Sequence, residues 1–178
     1  MLSPGERPNE GAAIGGIGGG PLAAVLVGVD DSTSSYRAVE WVAQLAAVTG
    51  SSVIAAHVLT FNEEFVRDGL TVDTMRTWRR DLDVELRDKW LRPLVQAGIA
   101  HSHRVVEAES VDAGLLSCAA DATIDLIVVG ASGSGGIIAR LLDGATSRLT
   151  HRASQPVVVV PRTWNPAAVP ADEPRPTG

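Results

Sequence analysis

From residue 22 onward the chain alternates between short runs in which nearly every residue is apolar and longer stretches in which apolar residues return every third or fourth position. The first pattern predicts strands buried on both faces, the second helices that lay one side on a core. Strands are predicted at Ala23 to Val29, Ser52 to Leu59, His103 to Ala108, Asp125 to Gly130 and within PVVVVP (156–161). The first helix carries Ala38, Val42, Leu45 and Ala46 at helical spacing; Ser32 or Thr33 can cap its start, and Gly50 stops it. A long amphipathic helix is predicted from about Val72 to Gln96, with Pro93 bending or fraying its last turn. A third helix runs from about Asp112 to Asp121, and a short last one from Thr146 to about Arg152.

Strands alternating with helices are the signature of βαβ units, so the expected fold class is α/β: a doubly wound, open, five-stranded, mostly parallel sheet of order 3-2-1-4-5 in a single domain. That order reverses between the first and fourth strands, and such sheets bind ligands beyond the carboxyl ends of the strands at the reversal. The loops that matter are then VDDSTSS, after the first strand, and GASGSGG, after the fourth. A Rossmann-type dinucleotide fold would carry its glycine fingerprint after the first strand, and Gly28 alone does not supply one. Residues 1–21 and 164–178, rich in Gly or Pro, read as flexible tails around a domain at 22–163.

Composition narrows the partners. A formal charge of −6 over 178 residues argues against nucleic acid or an anionic membrane as a general partner. Cys118 is the single cysteine, which excludes an internal disulfide and any multi-cysteine metal site and suits a reducing, cytoplasmic setting. Lys89, the only lysine, lies in ELRDKWLR and reads as part of a solvated helix face. The opening residues lack the pattern of a secretory signal, and no apolar run is long enough to span a membrane.

The segments LVGVDDSTSSYRAVEWVAQLA, VIAAHVL, IDLIVVGASGSGG and PVVVVP, in that order, resemble the universal stress protein family, and the resemblance covers roughly Ala23 to Arg162. It implies an adenine-nucleotide (ATP) binding module acting in stress response. The family's phosphate loop has the form Gly, two residues, Gly, nine residues, Gly, then Ser or Thr. Gly130 and Gly133 match its first two positions, but Asp143 and Gly144 stand where the third glycine and the hydroxyl residue belong. The phosphate loop is in that sense degraded. A carboxylate about 5 Å from a phosphate, at an effective dielectric of about 20, costs roughly 3 kcal/mol. Magnesium could reverse the sign, Thr146 and Ser147 could donate hydroxyls, and Arg140 or Arg148 could offset the charge; a shift of one residue would use Gly144 with Ala145 instead. At the adenosine end, Asp30 and Val58 match the positions that contact the nucleoside in binding relatives. Read as residues alone, Asp30, Asp31 and Ser32 equally suit the end of a strand and the cap of a helix.

The resemblance also implies a homodimer through the fifth strand, Val157, Val158, Val159 and Val160, whose apolar edge would otherwise invite pairing. A second expectation is a dimeric interaction protein of the same fold that binds no nucleotide, which Asp143 and Gly144 favour. Weak ATP hydrolysis is a third, without an identifiable base. Among other residues, His101 and His103 would share a strand face but lack a third ligand, and His57 reads as a satisfied core histidine. GASGS puts its glycine one residue early for a nucleophile elbow. Cys118 reads as a core residue, and Trp41, Trp78 and Trp90 as packing against the sheet or a partner subunit.

Overall fold

Val25, Leu26 and Val27 have no solvent-exposed surface, nor do Ile127 and Val128. Strands buried on both faces like these belong at the centre of a sheet covered by helices on either side. The computed structural model describes residues 22–60, 72–121, 123–131 and 146–166. Its five strands are β1 (Ala24–Gly28), β2 (Ser52–Thr60), β3 (His101–Ala108), β4 (Leu126–Gly130) and β5 (Val157–Val160). They form one sheet in the order β3-β2-β1-β4-β5, and every pairing is parallel. This is the expected order, with the first and fourth strands adjacent at the reversal.

The helices are α1 (Thr33–Thr49), α2 (Val72–Glu85), α3 (Arg92–Gln96), α4 (Val111–Asp121) and α5 (Thr146–Arg152). Successive strand residues face opposite sides, so Val25, Val27, Val53, Ala55 and Val128 pack with Val39 and Val42 of α1 and with Leu94 of α3. Leu26, Ala56, Val58, Ile127 and Val129 pack with Leu115 and Cys118 of α4 and with Leu149 of α5 on the other side. Trp41 and Trp164 lie against the first cluster, and the Trp78 side chain lies outside the described residues.

The caps of α1 were legible in the sequence. Ser32 Oγ accepts the Ser35 N–H at 3.1 Å, and Gly50, at φ 73°, donates its N–H to the Ala46 carbonyl. The long second helix differs from expectation. Instead of continuing to Gln96, α2 opens into a π turn over Leu86–Trp90, where the Leu91 N–H reaches back five residues to the Leu86 carbonyl, and α3 then begins around Pro93. Proline has no N–H to donate, and its ring crowds the carbonyl four residues earlier, here that of Lys89. The widened turn absorbs the break before proline rather than after it. It leaves Leu86, Trp90, Leu91 and Leu94 all buried.

Among the described residues no helix is long and apolar enough to cross a membrane.

Candidate functional site

At the carboxyl end of β1 the chain must leave the sheet and enter α1, and Asp30 makes that corner. Its N–H donates to Ser35 Oγ at 2.9 Å, and its Oδ1 accepts the Ser32 N–H at 2.9 Å. Strand end and helix cap therefore share one small network, which is the structural role that Asp, Asp, Ser suggested. That role uses only half of the carboxylate. Asp30 is 5 % exposed, and its Oδ2 is buried without a hydrogen-bond partner.

Beside it, β2 runs on past the end of β1. The β1–β2 ladder ends at Gly28 with Ala56, followed by the Val29 N–H to the Ala56 carbonyl at 2.9 Å, while β2 stays paired with β3 as far as Thr60. Val58 lies on this overhang, where it pairs with Val106. Its side chain turns to the α4 face, so tightly against Gly114 that a Cβ there would come within 2.5 Å of Val58 Cγ1. On the opposite face His57 is buried, with Nδ1 2.8 Å from the Val29 carbonyl and its ring tilted against Trp90 at 5.4 Å between centroids. A carbonyl only accepts, so Nδ1 carries the proton. Burial pushes the His57 pKa below its ordinary value of 6.5, against the opposing pull of the Val29 carbonyl and of Asp30 and Asp31. His57 is thus a satisfied structural histidine, as its apolar strand suggested.

A cleft of about 240 Å3 opens at this corner, lined by Asp30, Asp31, Ser32, Thr33 and Tyr36 from the β1–α1 connection and by Lys89 and Trp90 from the π turn. Trp90 is buried, and its indole Nε1 also lacks a hydrogen-bond partner. The sequence placed Lys89 on a solvated face. Its ammonium is indeed exposed and bonded to Glu85 Oε1 at 2.9 Å, yet the residue borders the cleft, and Glu85 first, then Asp31, raise its pKa. The sequence read Trp90 as packing against the sheet or a partner subunit but could not bring residues 89 and 90 to the end of β1; only tertiary packing does that.

At the carboxyl end of β4, Gly130 approaches the first turn of α1 so closely that a Cβ would sit 2.3 Å from the Ser34 carbonyl oxygen and 2.9 Å from the Ser35 nitrogen. This glycine has a packing reason independent of any anion. Gly133, Asp143, Gly144 and Ala145 lie outside the described residues, and Thr146 begins α5. Arg148, a candidate to offset the charge of Asp143, is engaged elsewhere. Its Nε and Nη2 face Asp112 Oδ2 and Oδ1 at 3.3 and 3.5 Å, with Arg152 Nη1 at 3.7 Å from Oδ2. Burial pushes the Asp112 carboxyl up, but the Ser110 hydroxyl and Arg148 outweigh it and hold the group below its ordinary value.

The remaining candidates have ordinary partners. His103 Nε2 lies 2.8 Å from Asp83 Oδ1, His101 Nδ1 lies 2.7 Å from the Ile99 carbonyl, and Cys118 is buried. Among the described residues no three His, Cys, Asp or Glu side chains gather as a metal site would require.

The family model described as the Universal stress protein family matches residues 23–161. Universal stress protein Rv2623 of Mycobacterium tuberculosis is 30% identical over 139 residues, covering 76% of this chain and 46% of the relative, so the chain spans about half of that protein's length. Universal stress protein Rv1636 of the same organism is 30% identical over 141 residues, which cover 78% of this chain and 96% of the relative. Among solved structures, a universal stress protein in complex with cAMP superposes with a TM-score of 0.60 at 27% identity, covering 81% of this chain and all of the other.

Proposed function

This chain belongs to the universal stress protein family, and we propose that it is an adenine-nucleotide-binding module acting in stress response, with the base end of its site at Asp30 and Val58. The observation that carries the reading is the buried Oδ2 of Asp30, without a hydrogen-bond partner, beside a cleft at the carboxyl end of β1, one of the two strands at the reversal of the sheet. A buried acceptor without a partner costs about 1–3 kcal/mol, and a ligand that donates to it recovers that cost on binding. The similar structure that holds cAMP supports an adenine ligand. The phosphates would then lie toward Gly130, Gly133 and Thr146, on the segment where Asp143 and Gly144 replace the family's glycine and hydroxyl residue. Since Arg148 is committed to Asp112 and Arg140 lies outside the described residues, magnesium is the counter-charge to test first.

Titration of ATP into the full chain by calorimetry, with and without magnesium, tests this. Micromolar binding that strengthens with magnesium is the expected result. No binding at millimolar ATP would leave the second reading, a dimeric interaction protein that binds no nucleotide. That reading draws on β5, which pairs only with β4 among the described strands and keeps Val157, Val158 and Val159 half-buried rather than buried. A homodimer through Val157 to Val160 belongs to both readings, and light scattering at micromolar concentration would report it.

A further inference from the structure

His57 stands between the end of β1 and the π turn. Its Nδ1–H donates to the Val29 carbonyl at 2.8 Å, one residue before Asp30, and its ring lies against the indole of Trp90, 5.4 Å between centroids and 54° between planes. Both side chains are buried. The charged groups around the ring are Asp30 and Asp31 beyond Val29, and Lys89 with its partner Glu85 on the π turn and α2. On β3, Val105 pairs with His57, and Arg79 reaches the Val105 carbonyl while holding Glu107. Tyr36 of α1 borders the same cleft as Trp90.

An imidazolium in this place loses more by burial than it gains from the Val29 carbonyl, Asp30 and Asp31 together, so the ring takes up a proton readily only where water reaches it. β2 cannot move aside to admit that water, because it is paired with β1 on one side and with β3 on the other. The π turn can. It is a single widened turn, closed by the Leu91 N–H on the Leu86 carbonyl, a form that recurs at functional sites within helices. Trp90 also has a reason to leave, since its Nε1–H is buried without a hydrogen-bond partner, a cost that water relieves. Lifting the indole from the sheet therefore satisfies a stranded donor and hydrates the imidazolium in one motion. We propose that His57 is a pH-responsive latch of the cleft: neutral, it seats Trp90 and closes the wall that the π turn forms; protonated in mild acid, it releases that wall and widens the cleft at the end of β1. The latch acts on the cleft itself, whether or not a nucleotide occupies it. With the ordinary value of 6.5 in the open form and a lower one in the closed form, acidification from pH 7.5 to pH 5 favours opening by at most about thirtyfold.

Hydrogen exchange of the full chain, without ligand, tests this. Protection of the Leu86 to Leu91 amides, corrected for the intrinsic rate at each pH, should fall about tenfold from pH 7.5 to pH 5 relative to Ala38 to Ala46 of α1, and His57→Gln should abolish that fall. No fall, the same fall in His57→Gln, or an equal fall in α1 would each overturn the latch, the last because the whole domain rather than the π turn would be opening. Should the variant fold poorly, NMR on the unaltered chain gives a second test. The Trp90 indole N–H resonance, assigned by its absence in Trp90→Phe, should titrate with the same midpoint as the His57 ring. A resonance that stays constant, or that follows the carboxylates at about pH 4, would overturn the latch equally.

Discussion

The two strand-to-helix junctions at the centre of the sheet solve different problems. After β1 the chain turns through Asp30 and Ser32, whose side chains hydrogen-bond the backbone of the turn and leave one carboxylate oxygen over. After β4 it passes through Gly130, where the absence of a side chain lets α1 lie against the strand. At the first corner the side chains are polar and incompletely satisfied; at the second, Gly130 is packed against the first turn of α1. A glycine at the mouth of a ligand loop can therefore owe its place to packing.

The largest expected effect breaks the packed junction. Gly130→Ala puts a Cβ 2.3 Å from a backbone oxygen, which no rotamer change relieves, and should cost about 3 kcal/mol in chemical denaturation. Gly114→Ala is the control. Its Cβ would meet side-chain atoms of Val58, both methyls at 2.5 and 2.8 Å and Cβ at 3.2 Å, rather than backbone, so a somewhat smaller loss of about 2 kcal/mol is expected. Equal losses would mean that α1 can move away from β4 as easily as α4 can move away from Val58.

Next comes the clasp that holds α5 near the second junction. Asp112 is 1 % exposed, whereas Arg148 and Arg152 are more than half exposed, so Asp112→Ala frees two cations into water rather than stranding them. The cost should be about 1–2 kcal/mol, below that of breaking a fully buried pair. Because the folded-state pKa of Asp112 lies below its ordinary 3.8, the clasp stabilises at neutral pH and is lost as pH falls through the folded value. The variant should accordingly lose less stability than the parent chain on acidification, as thermal melts at pH 7 and pH 3 would show.

How legible these junctions were in the sequence follows from the range of the interactions. Ser32 and Gly50 act within a few residues of themselves, so the ends of α1 could be read directly. The doubly wound α/β class followed from alternating patterns and from the chirality of crossovers, which act over one βαβ unit at a time. Pro93 announced a break but not its position, because the strain passed backward into a π turn. The cleft was half visible: Asp30 stood out, whereas Trp90 and Lys89 reach it only because the π turn packs over β2. Arg148 shows the reverse case. A free cation beside the loop in sequence proved to be held by Asp112 from another helix.

Where Gly130→Ala costs stability, Asp30→Asn at the polar junction should cost affinity instead. An amide keeps an oxygen for the Ser32 N–H and exchanges one unpartnered polar atom, the carboxylate oxygen, for another, the amide nitrogen, so stability should change by less than about 1 kcal/mol. ATP affinity should fall about tenfold, because the atom that receives the ligand's donor is gone. A large loss of stability with unchanged affinity would make Asp30 a cap and nothing more.

The smallest effect lies beneath that junction and appears only in acid. Burial disfavours the charged form of His57, so the unfolded chain takes up a proton more readily than the folded one. Above about pH 6.5 both states are neutral there, and the residue adds no pH dependence. Between 6.5 and its lower folded value, stability should fall as pH falls, by at most about 1.4 kcal/mol per pH unit. His57→Gln removes this titration, and the difference between the two chains' denaturation midpoints, followed from pH 8 to pH 5, isolates it from the carboxylates. A difference that does not change over that range would mean that Asp30 and Asp31 compensate the buried charge in full. A difference that narrows toward pH 5 would mean that burial outweighs the attraction of Asp30 and Asp31 for an imidazolium, as the lowered pKa requires.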